Sequence, residues 1–164
     1  MTKQLLLIRH AQASESTPGQ KDFDRMLTNK GIIDASHLGM YLLKKSLLPD
    51  AIFCSAAVRA RITATTIAEK INFDVNKIKF EKQLYESSPR SLLELVNGFD
   101  DQWERVFIIG HNPVITYFAE YLTGNLVQNM APGSMAAILF DLATWKQASG
   151  GLGNVDNYYQ PQYN

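Results

Sequence analysis

Short runs of apolar residues alternate along the chain with longer segments in which apolar residues recur every three or four positions. Short apolar runs are typical of buried strands, and the longer repeat is typical of amphipathic helices. The runs predict five strands, at residues 5–8, 51–54, 78–80, 106–109 and 135–140. Helical faces are predicted near residues 32–42, 60–71, 92–99 and 115–122. Strands that alternate with helices predict a layered α/β domain with a mostly parallel central sheet.

The length of 164 residues favours a single domain spanning 1–164, because domains cluster at roughly 100–150 residues. The segment after Trp145 has a different composition, with glycines at positions 150, 151 and 153 followed by a polar stretch. We expect this C-terminal tail, from about residue 146, to be loosely ordered. Its tyrosines Tyr158, Tyr159 and Tyr163 could dock on the domain or on a partner, and the sequence leaves both open.

Composition and charge remove several functional classes. The chain has 16 basic and 16 acidic residues, whereas proteins that bind nucleic acids usually carry a basic excess. Cys54 is the only cysteine, so neither an internal disulfide nor a thiolate zinc site is expected. The first apolar run is too short for a signal peptide or a membrane span. We therefore expect a cytoplasmic protein without nucleic-acid or membrane partners.

Charged and nucleophilic side chains follow three of the predicted strands. Arg9 and His10 end the first strand, Arg59 lies shortly after the strand that ends near Cys54, and His111 follows the strand at 106–109. In parallel sheets, ligands bind outside the carboxyl ends of the strands, near helix N-termini. The sequence therefore predicts that two imidazoles and two guanidiniums converge at one edge of the sheet.

This combination of side chains suits a phosphoryl group. Phosphoryl transfer spreads charge over three oxygens, so positioning and electrostatic stabilisation dominate its catalysis. Guanidinium groups donate paired hydrogen bonds and stay charged. A neutral imidazole, with a pKa near ~6.5, is a competent nucleophile, and a second, protonated imidazole can donate to the same oxygens.

Four motifs carry a resemblance to a known family. The segment LIRHAQA at residues 7–13 resembles the signature of the histidine phosphatase superfamily, whose commoner form has glycine in place of Ala11. The alanine form resembles the phosphohistidine phosphatases of the SixA type. Further matches are DRMLTNKG at 24–31, SAAVRARITA at 55–64 and GHNP at 110–113. The motifs keep the family order over about residues 3–142.

The resemblance implies a three-layer α/β/α fold of the phosphoglycerate mutase-like type and a role for each matched residue. His10 is the implied nucleophile, which becomes phosphohistidine. Arg9, Arg59 and His111 form the implied phosphate pocket, with Arg25 at its rim. Neither a metal nor a cofactor is implied, and the implied substrate is a phosphorylated protein or a small phosphorylated molecule.

Glu86 is the candidate proton donor, although the pattern around it differs from that of larger superfamily members. A positioned acid accelerates the departure of an alcohol by about 10²–10⁴-fold. An imidazole leaving from phosphohistidine departs neutral when its ring is already protonated, so it needs less help. A doubtful acid therefore favours phosphohistidine in a protein as the substrate. The alternative is a small-molecule phosphomonoesterase that uses Glu86.

Specific features of the sequence argue against several other functions. A phosphate-binding module without turnover would not need to keep the nucleophile His10. A mutase is less favoured, because 164 residues leave little room for segments that enclose a substrate. Cysteine phosphatases place arginine six positions after the cysteine, where this chain has Ala60. Cys54 is therefore predicted to be a buried strand residue.

Overall fold

All five predicted strands form in the computed structural model, which describes residues 1–162, and a sixth strand follows them. Each apolar run forms the core of a slightly longer strand or lies at its start. The strands are β1 (Thr2–Arg9), β2 (Ala51–Ser55), β3 (Lys79–Glu81), β4 (Arg105–Gly110), β5 (Met135–Asp141) and β6 (Gly153–Tyr159).

The strands form one sheet in the order β3-β2-β4-β1-β5-β6. The first four strands along the chain run parallel to one another, whereas β5 pairs antiparallel with both β1 and β6. The prediction of a mostly parallel sheet is confirmed, with an antiparallel pair added at one edge. β1 lies inside the sheet, between β4 and β5, so its carboxyl end is surrounded by protein on both sides.

Helices cover both faces of the sheet. They are α1 (Asn29–Lys44), α2 (Val58–Lys70), α3 (Pro89–Asn97) and α4 (Val114–Thr123). Along β1, Leu6 and Ile8 belong to one apolar cluster with α1 and α2, whereas Leu5 and Leu7 belong to another with α3 and α4. Alternate residues of a strand point to opposite faces. The predicted three-layer α/β/α arrangement is therefore confirmed.

The C-terminal segment differs from the prediction of a loosely ordered tail from about residue 146. Trp145–Gln147 forms a 3-10 helix with Trp145 fully buried, and β6 pairs with β5. Strand β6 lies at the sheet edge, and much of it is exposed, so it lacks the apolar run that identified the other strands. The ring of Tyr159 packs against Tyr41 of α1, with ring centroids 4.7 Å apart. Tyr163 lies outside the described residues.

Membrane insertion has no candidate segment among residues 1–162, since none of the helices there combines the length and the apolar character that crossing a bilayer requires.

The start of α1 is packed directly against the loop that follows β1. The Thr28 side chain caps the helix by accepting the N–H of Gly31 at 3.0 Å, and the Thr28 N–H donates to the Gln12 carbonyl at 3.0 Å. A Cβ atom on Gly31 would lie only 2.3 Å from that carbonyl oxygen. Glycine is therefore required at position 31 by a backbone contact with the loop that carries His10.

We predict that Gly31→Ala lowers the free energy of unfolding by about 1–3 kcal/mol, as overpacking does when backbone must move. An exposed helical Gly→Ala change normally stabilises by about 1 kcal/mol, so the sign of the effect tests the contact. Urea denaturation measures it. The matched control is Gly98→Ala, where the added Cβ meets its nearest atom at 3.5 Å. Equal stability of the two variants would contradict the close approach.

Candidate active site

The parallel register of three strands brings their ends together. Arg9 pairs with Gly110 across β1 and β4, and Cys54 pairs with Ile109 across β2 and β4. The residues that follow the first pair, His10 and His111, therefore leave the sheet at one level, and Ser55 lies one position earlier, level with Gly110. The two imidazole rings lie 5.1 Å apart between centroids.

The imidazole of His10, which directly follows β1, is held by the main chain of the next residue. Its Nδ1 lies 2.7 Å from the Ala11 carbonyl oxygen. Because a carbonyl oxygen only accepts hydrogen bonds, Nδ1 carries the proton and Nε2 keeps the lone pair. The Ala11 N–H donates to the Thr63 hydroxyl at 3.0 Å, and this hydroxyl donates to the Arg59 carbonyl at 2.8 Å. The loop with His10 is thus tied to the helix that carries Arg59.

The surroundings of His10 keep its ring neutral. Burial, reinforced by the charges of Arg59, Arg9 and Arg25, lowers its pKa from 6.5 to about 4, against an opposing effect of the hydrogen bond to Ala11. At neutral pH, Nε2 is therefore available as a nucleophile, as a neutral imidazole requires.

His111 is also neutral, which corrects the expectation of a protonated second imidazole. Burial, followed by the neighbouring His10 and Arg59, lowers the pKa of His111 to about 3. Its Nε2 lies 2.7 Å from the Ser55 hydroxyl oxygen. A bound phosphoryl dianion would oppose these effects, because an opposite charge within a few ångströms favours the protonated ring.

Two arginines are anchored through their terminal nitrogens. Arg9 donates from Nη1 to the Met130 carbonyl at 2.8 Å. Arg59, in the first turn of α2, is 5% exposed and donates from Nη1 to the Asp22 carbonyl at 2.7 Å. Its Nη2 donates to the Asp22 carboxylate at 2.9 Å. The Nε of Arg59 is buried without a partner among the described residues.

Asp22 is a carboxylate beside the pocket that the sequence did not identify. Its Oδ1 accepts from Arg25 Nε at 2.9 Å, and its Oδ2 accepts from the Tyr85 hydroxyl at 2.6 Å as well as from Arg59. The hydrogen bond from Tyr85, with those from Arg59 and Arg25, lowers the pKa of Asp22 to about 2. Asp22 is therefore ionised at physiological pH. The three-residue spacing between Asp22 and Arg25 was the available sequence signal.

One cleft of about 490 Å³ is lined by all six residues that the sequence predicted for the phosphate pocket and its proton donor. Glu86 contributes an exposed carboxylate next to Tyr85, and Arg25 also donates to the Ser14 carbonyl at 3.1 Å. The sequence had assigned no role to Asp22, Tyr85 or Pro132. The lining residues are Arg9, His10, Gln12, Ala13, Asp22, Arg25, Arg59, Tyr85, Glu86, His111, Asn112 and Pro132.

Cys54 is fully buried in β2, as predicted, and donates from Sγ to the Ser55 carbonyl at 3.2 Å. Burial raises the pKa of its thiol. A buried, protonated thiol is a poor nucleophile.

The cleft offers an unprotonated imidazole nitrogen beside three guanidiniums, an arrangement that can bind an oxyanion and accept a phosphoryl group.

Comparisons with known proteins identify related sequences. A sequence profile described as the histidine phosphatase superfamily (branch 1) matches residues 5–90. An uncharacterised protein of Mycobacterium tuberculosis is 26% identical over 164 residues, which cover 94% of this chain and 100% of that protein.

Solved structures share the fold. A protein from Agrobacterium tumefaciens described as a SixA phosphohistidine phosphatase superposes with a TM-score of 0.84 at 23% identity, over 97% of this chain and 98% of that one. The protein histidine phosphatase SixA in complex with tungstate gives a TM-score of 0.77 at 19% identity, over 94% and 95%. The phosphoglycerate mutase-like fold expected from the sequence is confirmed.

We predict that His10 and His111 stay neutral from pH 8 down to pH 5, because their pKa values are lowered to about 4 and about 3. Imidazole 15N–1H correlation spectra recorded across this pH range measure this directly. Added inorganic phosphate should raise both midpoints, since a bound dianion stabilises the protonated rings. A midpoint near 6.5 for either ring without phosphate would contradict the structure.

Proposed function

This chain belongs to the histidine phosphatase superfamily, and we propose that it hydrolyses phosphohistidine in a protein through a phosphorylated His10. Membership of the superfamily, together with the phosphatases that share its fold, supports phosphatase activity in general. The observation that carries the proposal is the fixed tautomer of His10. The Ala11 carbonyl holds the proton on Nδ1, so Nε2 keeps its lone pair. His10 lines the same cleft as the guanidiniums of Arg9, Arg25 and Arg59.

In the first step, the lone pair on Nε2 of His10 forms a bond to phosphorus while the bond from phosphorus to the substrate nitrogen breaks. The departing imidazole takes that electron pair and leaves neutral, since its other nitrogen already carries a proton. The Nδ1–H bond to Ala11 supports the positive charge that develops on His10. The arginines stabilise the charge spread over the phosphoryl oxygens.

In the second step, a water molecule attacks phosphorus and the bond to Nε2 breaks, which releases inorganic phosphate and restores the lone pair on His10. The attacking water must lose a proton. His111 is suited to receive it, because its ring lies 5.1 Å from His10 between centroids, is neutral before substrate binds, and gains affinity for a proton from the adjacent phosphoryl charge. Its bond to the Ser55 hydroxyl keeps the ring in position.

The substrate assignment rests on the leaving group and on access. A neutral imidazole needs no proton from the enzyme, and Glu86, the acid candidate, is exposed. A phosphoryl group carried on a protein surface needs an accessible cleft, and Asp22 at its edge has a side chain that is half exposed. The tungstate held by the SixA protein of the same fold is a tetrahedral oxyanion, like phosphate.

A second candidate function is supported by the position of Glu86. Glu86 lines the same cleft as His10, next to Tyr85. In that position, a carboxylic acid could protonate an alcohol oxygen as it leaves, as hydrolysis of a small phosphomonoester requires. This candidate uses the same nucleophile and the same arginines, so only the leaving group separates the two.

We predict that His10→Ala abolishes phosphate release from a phosphohistidine-bearing carrier protein, with a loss on the order of 10³-fold or more. The matched control is His37→Ala, which removes an exposed imidazole of α1 that does not line the cleft. Phosphate release is followed by 31P NMR at mildly alkaline pH, because an acidic colour reagent would itself hydrolyse phosphohistidine. Unchanged turnover in the His10 variant would exclude it as the nucleophile. Turnover of small phosphoesters alone by the unmodified protein would favour the second candidate.

We predict that Glu86→Gln leaves the hydrolysis of phosphohistidine unchanged within about twofold. If Glu86 served as the proton donor, the variant would lose on the order of 10²-fold with an alkyl phosphate and little with an aryl phosphate that has a good leaving group. Steady-state kinetics with the three substrates distinguish the cases. A large loss with phosphohistidine would contradict the proposed departure of a neutral imidazole.

A further inference from the structure

Asp22 places a carboxylate at the edge of a cleft that is otherwise suited to anions. Its partners are Arg59, Arg25 and the Tyr85 hydroxyl, at 2.6 to 2.9 Å. A negative charge beside an oxyanion site weakens anion binding by simple repulsion. The presence of this carboxylate therefore needs a physical reason.

The contacts of Arg59 supply that reason. Asp22 engages both terminal nitrogens, Nη1 through its main-chain carbonyl and Nη2 through its carboxylate. This arrangement fixes the plane of the guanidinium and leaves Nε as the nitrogen that is buried and without a partner among residues 1–162. A buried donor left unpaired costs free energy. An oxyanion bound in the cleft would supply the missing acceptor.

Asp22 is itself held in place. The Tyr85 hydroxyl donates to Oδ2, and the ring of Tyr85 packs edge-on against Phe23, with centroids 5.0 Å apart. The same ring lies edge-on to His111, at 5.6 Å. Tyr85 thus joins the carboxylate to the imidazole side of the cleft. The low pKa of Asp22 keeps these contacts intact throughout the physiological range.

We propose that Asp22 is a positioning residue, held by Tyr85, which orients the Arg59 guanidinium so that its Nε–H binds a phosphoryl oxygen. This inference rests on the proposed function. It makes a counterintuitive prediction, because removing a negative charge beside an anion site should tighten binding by charge alone. Loss of the orientation of Arg59 should outweigh that gain.

The test is the binding of tungstate to the full-length protein, measured by calorimetry, without any need for turnover. Asp22→Ala should weaken tungstate binding by about 10-fold or more, the range expected when a hydrogen bond to a charged group is lost. Asp22→Asn retains an acceptor oxygen, so its affinity for tungstate should lie between those of Asp22→Ala and the unmodified protein. Tyr85→Phe, which removes only the hydroxyl, should weaken binding by about 2–5-fold.

Asp24→Ala is the matched control, since it removes a carboxylate from the same 3-10 helix, Asp22–Asp24, that does not line the cleft. Its tungstate affinity should stay the same or rise slightly. In arginine side-chain NMR spectra, the Arg59 Nε–H signal should be sharp in the unmodified protein and in Asp24→Ala. It should broaden in Asp22→Ala. Thermal denaturation verifies that each variant is folded.

Equal or tighter tungstate binding by Asp22→Ala would overturn the inference and identify Asp22 as a competitor for the oxyanion. Absence of tungstate binding by the unmodified protein would overturn the oxyanion pocket itself. Failure of the proposed function alone gives a different pattern, in which His10→Ala keeps its turnover and Asp22→Ala still binds tungstate weakly.

Discussion

Parallel pairing of β1, β4 and β2 sets the level at which the functional side chains leave the sheet. Each of these strands is buried, and their registers place Arg9 opposite Gly110 and Cys54 opposite Ile109. A shift of one residue in any of these strands would exchange the side chains that face the two apolar clusters and would disturb the packing on both faces. The same hydrophobic pattern that holds the sheet together therefore fixes the distance between the two imidazoles.

Burial at this edge determines the chemistry that the side chains can perform. The imidazoles and guanidiniums are brought together where both imidazole rings are largely buried, and burial makes the charged form of imidazole unfavourable. Both histidine rings are consequently neutral, whereas the guanidiniums stay charged. Asp22 offsets part of the positive charge and occupies the terminal nitrogens of Arg59. The result is a neutral nucleophile beside fixed positive charge.

The sequence predicts the strands, the helices and the cluster at the strand ends because each depends on local periodicity or on a short motif. It does not predict β6, whose polar residues suit an edge position. It also misses Tyr85 and its bond to Asp22, because these residues are 63 positions apart and meet only in the folded chain. The neutral state of His111 depends on burial and on neighbouring charges, which no motif encodes.

The central claim is that the phosphoryl group passes through His10. Rapid mixing of the protein with a radiolabelled phosphohistidine carrier, followed by alkaline quenching and mass spectrometry, tests this most directly. The account predicts a transient, acid-labile phosphoryl group on His10 that forms and decays at least as fast as phosphate is released. Phosphate release without any label on the chain, or label on another residue, would contradict it.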